Sequence, residues 1–133
     1  MLGQNAAVGT QEGPGPDSTV VAGPIVIGVS ADTMGRGDDD LGQVLLRNYL
    51  HTLTEVVPKP DTLVFFNSGV KLAAWESPAL DDIQTLAGQG VQILLCGTCL
   101  SHFDLKEQAA VGEISNMYAI SETLLRAGKV INL

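Results

Sequence analysis

Four short apolar runs constrain this chain more than anything else in it. They are Ile25-Val26-Ile27-Gly28-Val29, Thr62-Leu63-Val64-Phe65-Phe66, Val91-Gln92-Ile93-Leu94-Leu95 and Val130-Ile131-Asn132-Leu133, with helix-length segments between them. A strand that faces water on one side alternates apolar with polar residues, whereas near-continuous runs rich in β-branched residues suit strands covered on both faces of a parallel sheet. Strands are therefore expected at 24–30, 62–66, 91–95 and 130–133. Parallel neighbours need long crossovers, and the intervening segments are long enough to supply helices. The pattern predicts an α/β domain with a mostly parallel sheet and helices on both faces.

The intervening segments carry the helical period. Leu41, Val44, Leu45, Tyr49 and Leu53 recur at spacings of three and four, widened by Leu46 and Leu50, so a helix is expected over 39–55 with Asp38 or Asp39 as its cap. A second helix holds Leu80, Ile83, Leu86 and Ala87. It should start near Ser77-Pro78, a serine cap before a proline at the first helical position, and stop at Gly88 and Gly90. A short helix is expected from Thr98 or Cys99 to about Gln108, and Glu113-Ile114-Ser115 as a short fourth strand. Asn116 can cap a last helix in which Met117, Ile120, Leu124 and Leu125 share a face before Gly128. Trp75 and Tyr49 read as packing residues. Residues 1–23, with five glycines and two prolines among small and polar residues, read as a flexible tail or linker, leaving 24–133 as the folded domain.

Charge narrows the partners. Fifteen acidic against seven basic residues give a formal net charge of −8, a field that repels phosphate backbones and argues against nucleic acid. The apolar stretches are strand-sized, so no membrane span is expected, and the first basic residue, Arg36, lies too late for a secretory signal. Both cysteines fall in Cys96-Gly97-Thr98-Cys99. Two cysteines cannot build a disulfide framework, and C-x-x-C spacing points to redox, sulfur or metal chemistry in a reducing compartment, read here as the cytoplasm.

Ligands of open parallel sheets bind beyond the carboxyl ends of the strands. Three loops should therefore converge there: Ser30 to Asp40, Asn67 to Lys71, and Cys96 to Cys99. A cysteine at a strand end before a helix start meets backbone N–H groups and the positive end of the helix dipole, which favour thiolate; such settings lower a cysteine pKa from about 8.5 to roughly 3.5–7.5. Cys96 and Cys99 are thus the candidate reactive residues, although a strand-end cysteine can equally be a core residue. Gly97 permits a tight turn, and with Thr98 it belongs to the candidate anion-binding set. Arg36 could clamp a sulfate-like, persulfide or carboxylate group, Lys71 could place charge beside the thiolate, and Asn67 and Ser68 could donate hydrogen bonds. Asp38 to Asp40 read as cap and dipole partners. Zinc on Cys96, Cys99 and His102 lacks the usual second ligand pair, so neither metal nor cofactor is expected.

Four ordered stretches carry a resemblance: Ser30 to Asp39, Phe66 to Leu72, Cys96-Gly97-Thr98-Cys99-Leu100, and Gly112 to Tyr118. Over residues 24–133 the chain resembles the DsrE-like domain of YedF-type proteins, described as sulfurtransferase-like and linked to selenium metabolism. The resemblance implies a three-layer α/β/α fold with a five-stranded parallel sheet and assembly as a homo-oligomer. It also implies a persulfide carried by a cysteine at the end of the third strand, the position of Cys96, with Cys99 as a resolving or second sulfur-carrying thiol. YedF-type proteins have a preceding TusA-like sulfur-carrier domain. Residues 1–23 resemble the linker after such a domain, which would then be the natural sulfur donor or acceptor. Three readings follow: a sulfur or selenium relay, a non-catalytic small-anion or protein-binding oligomerisation domain, and a thiol–disulfide redox module.

Overall fold

The computed structural model describes residues 23–133, so all but the last residue of the expected tail lies outside the described residues. The chain runs β1 (Ile25–Val29), α1 (Asp39–Leu53), β2 (Thr62–Phe65), a 3₁₀ stretch (Asn67–Ala73), α2 (Leu80–Gly88), β3 (Gln92–Cys96), α3 (Gly97–His102), a 3₁₀ turn (Lys106–Gln108), β4 (Glu113–Ser115), α4 (Met117–Leu125) and β5 (Lys129–Asn132). The five strands form one sheet in the order β4-β3-β2-β1-β5, and every pairing is parallel. Val26, Val64 and Leu94 are buried, as are Ile27, Leu63 and Ile93, which point to the other face. This two-sided burial is why the runs of β1, β2 and β3 lack polar alternation; the run of β5, expected to be covered on both faces, lies at the sheet edge and is largely exposed.

The first three crossovers step the same way across the sheet, and the last returns past all of them to β5 beside β1. Right-handed crossovers then place α4 on the face opposite α1 and α2, which completes three layers. On the first face, α1 packs beside α2. Its buried stripe is Gly42, Leu46, Leu50 and Leu53, whereas Leu41, Val44 and Leu45, expected in the main stripe, point outward. The helix therefore has two apolar faces and buries one.

Caps follow local chemistry at two helices and depart from it at two. Asp38 accepts the Leu41 N–H at 2.9 Å and Asn116 accepts the Ala119 N–H at 2.9 Å, each satisfying a donor of a first helical turn. Ser77 does not cap α2. Its hydroxyl accepts the Ala79 N–H at 3.1 Å in a turn of its own, and the helix begins one turn later with Ala79 as an uncapped N-cap. The helix expected from Thr98 or Cys99 to Gln108 begins at Gly97 and stops at His102. Asp104 adopts a left-handed φ of 62°, and the Leu105 N–H closes onto the Leu100 carbonyl at 2.8 Å, a C-terminal lock that pattern alone did not signal. Trp75, expected to pack, is 60% exposed; Tyr49 packs against the core.

Candidate functional site

The carboxyl ends of β1, β2 and β3 meet where the next segments leave the sheet. Gly69 makes the first approach possible: a Cβ there would collide with the carbonyl of Val29, so only glycine lets the 3₁₀ stretch lie against the end of β1. Ser68 ties the same two loops, its hydroxyl accepting the Asp32 N–H at 3.2 Å. Asn67 folds onto its neighbour, its side-chain oxygen accepting the Ser68 N–H at 2.8 Å, with its own φ at 50°. These two polar side chains, expected as ligand donors, thus shape the loop, and it is the backbone N–H of Asn67 that faces outward to the site. At the neighbouring strand, a Cβ on Gly97 would lie 3.0 Å from the carbonyl of Ser115, so glycine there lets β4 pass close to the start of α3.

Cys96 ends β3 and is 2% exposed, inside the core cluster. Cys99, one turn into α3, is half-buried, and both thiols are free. The Cys99 sulfur accepts the Asn67 backbone N–H at 3.0 Å. Its pKa is raised above the ordinary thiol value: burial contributes most, and a hydrogen bond with the Cys96 side chain adds to it. The Asn67 N–H pulls the other way, and the charge of Cys96 raises it further. The balance runs opposite to the thiolate expected of a helix start, because burial and the adjacent Cys96 thiol outweigh the single backbone N–H that reaches the Cys99 sulfur.

A cavity of about 250 Å3 opens onto Cys99, walled by Asn67, Thr98, His102 and Phe103. Asn67, Thr98 and Cys99 are therefore brought together as the sequence suggested, and Cys96 lies next to Cys99. Lys71 does not join them directly; its ammonium sits 4.6 Å from the centre of the Phe103 ring, a cation–π contact. Arg36 stands exposed in the loop after β1 and does not line the Cys99 cavity. His102 and Phe103 also wall the site; the sequence offers His102 only as a member of an incomplete zinc set and does not mark Phe103. The signal for His102 was its spacing of three from Cys99, which on a helix places both on one side. Among the described residues no three His, Cys, Asp or Glu side chains gather as a metal donor set, and no helix is long and apolar enough to cross a membrane.

A model of the DsrE/DsrF-like family matches residues 31–133, covering the loop after β1, the 3₁₀ stretch, both cysteines and β5. The chain belongs to this family. Solved structures share the fold at low identity. The YchN protein of E. coli aligns with a TM-score of 0.65 at 18% identity, over 84% of this DsrE/DsrF-like chain and 100% of its own. MTH1491 of Methanobacterium thermoautotrophicum, a protein of unknown function, aligns with a TM-score of 0.61 at 18% identity, over 82% and 97%. BT1422 of Bacteroides thetaiotaomicron gives 0.55 at 15%, over 81% and 94%. No curated protein matches the chain.

Proposed function

We propose that this DsrE/DsrF-like domain is a sulfur relay that accepts the terminal sulfur of a donor persulfide and yields it to an acceptor thiol. The observation that carries the reading is the stacking of two reduced thiols at the end of β3, Cys99 open to a cavity and Cys96 buried behind it. Cys99 loses its proton, for which His102 in the same cavity is the nearest candidate acceptor in sequence, and attacks the outer sulfur of the donor. The outer S–S bond electrons leave with the donor thiolate, which takes up the proton. Persulfide and thiol have changed places with no net oxidation.

A second exchange of the same kind moves the sulfur from Cys99 to Cys96. There, at 2% exposure, water and stray thiols are excluded, in keeping with the carrier position that the family resemblance assigns to Cys96. The return path reverses these steps. If Cys96 attacks the inner sulfur instead, a Cys96–Cys99 disulfide forms and hydrosulfide leaves, which is the thiol–disulfide reading; the adjacency of the two thiols is the observation in its favour.

The finer assignment is to the YedF-type proteins, with a TusA-like sulfur-carrier domain as donor or acceptor, selenium as an alternative to sulfur, and the reducing cytoplasm as the setting. It rests on the four motifs from Ser30 to Tyr118. Self-association belongs to the same proposal, supported by the exposed stripe Leu41, Val44 and Leu45 on α1. Incubating the full chain with a persulfide-loaded sulfur-carrier protein and reading intact mass tests the relay. One added sulfur on wild type, held on Cys99 in Cys96→Ser and lost when both cysteines are replaced, is expected, and no adduct on any form refutes it.

A further inference from the structure

A second cavity, of about 270 Å3, lies between α1 and the 3₁₀ stretch, with Asp32, Gln43, Arg47, Lys71 and Ser77 among its walls. It shares no wall with the Cys99 cavity, but the two are neighbours: Lys71 of one stacks on Phe103 of the other. The chain has seven Lys and Arg residues against fifteen Asp and Glu, so carboxylates are plentiful. Yet among the described residues neither Arg47 nor Lys71 has a carboxylate within 4.0 Å. Arg47 spends only its Nε, on the Gln43 carbonyl at 3.5 Å, which leaves the two terminal nitrogens of its guanidinium without a protein partner among the described residues.

Two unneutralised cations in one concave site repel one another unless a ligand supplies the negative charge. A planar guanidinium with both ends free is the group best shaped to take a carboxylate by two parallel hydrogen bonds. Asp32 adds one negative charge to the lining, a place for an ammonium group, and Ser77 and Gln43 add neutral hydrogen-bonding groups. The volume is just below the usual range of about 300–1,000 Å3 for small-molecule pockets, so the occupant is small.

We infer that this cavity binds a low-molecular-weight thiol built on amino acids, its carboxylate held by Arg47 and Lys71 and its ammonium by Asp32, beside the sulfur-carrying cysteines. The choice of a thiol rests on the relay reading; the carboxylate site rests on Arg47 and Lys71 alone. The probe is S-methylglutathione, whose blocked sulfur cannot exchange, titrated calorimetrically into the full chain carrying both Cys96→Ser and Cys99→Ser. Because that protein cannot carry sulfur, the result stands apart from the success or failure of the relay.

Saturable binding is expected, weakened about tenfold or more by Arg47→Gln, as for loss of a charge-assisted hydrogen-bonded pair, and by esterifying the ligand's carboxylates. Arg47→Gln should keep the parent's melting temperature, since its one protein hydrogen bond is to its own helix; Lys71→Gln is the second variant if it does not. No saturable binding, or binding indifferent to both substitutions or to esterification, overturns the inference.

Discussion

Cys99 holds a hydrogen bond from the Asn67 backbone at 3.0 Å and still has a raised pKa, which shows burial and the neighbouring thiol outweighing one N–H dipole. At neutral pH it is therefore the protonated thiol, and its reactivity needs a proton acceptor. Iodoacetamide labelling followed against pH should give Cys99 a midpoint above the ordinary thiol value. Cys96→Ala, which removes a cause of the rise, should bring that midpoint down; an unchanged midpoint would mean the two sulfurs do not interact. His102→Asn should slow sulfur uptake most near neutral pH and least in alkali, where no acceptor is needed. A uniform slowing at every pH would assign His102 a merely structural part. At this scale the sequence carried the thiols, Asn67 and Thr98 as site residues, because motif spacing reports which side chains share a turn. It could not separate a buried Cys96 from an accessible Cys99, since that depends on how α3 leaves the sheet. Arg47 was likewise illegible as a ligand group: its partner Lys71 comes from a distant segment, and only packing makes them neighbours.

Elements are tied together by two contacts that substitution can test, only the first of them at the site. The 3₁₀ stretch reaches β1 because Gly69 has no side chain, so Gly69→Ala should cost about 1–3 kcal/mol by overpacking and also displace the Asn67 N–H from Cys99. Denaturant unfolding measures the first effect and the labelling profile of Cys99 the second; a neutral substitution would show that the loop can give way. The other contact joins helices. His51 on α1 places Nδ1 3.0 Å from Asp82 of α2 and Nε2 3.7 Å from Glu55, and its pKa is raised above 6.5, first by the hydrogen bond to Asp82. A raised folded value means that the pair's stabilisation is fully present below about pH 6.5 and is lost as pH rises through the folded pKa. The stability difference between wild type and His51→Gln should therefore shrink as pH rises, which melting temperatures across that window will check. The three central strands were legible because both-face burial leaves a continuous apolar run, and the edge strands β4 and β5 were legible although largely exposed. The end of α3 was not, because it depends on Asp104 taking a left-handed conformation and Leu105 closing onto Leu100.

The whole molecule is a sheet with loops gathered at one end, an acidic exterior and apolar side chains left outside the core. Leu41, Val44 and Leu45 form a stripe on α1 separate from its buried one, a surface suited to a second copy of the chain. Native mass spectrometry should find a multiple of the 13.9 kDa chain, and Leu45→Glu should shift it to monomer without lowering the unfolding free energy of the isolated subunit. A monomer at micromolar concentration would leave the stripe without this role. The measurement that bears most directly on function is intact and peptide mass after loading with a persulfide-carrying protein, on wild type and on each single cysteine variant. The relay predicts one extra sulfur, retained on Cys96 in wild type, trapped on Cys99 in Cys96→Ala and absent from the double variant. A protein that gains no sulfur, or gains it equally with both cysteines removed, would contradict the account.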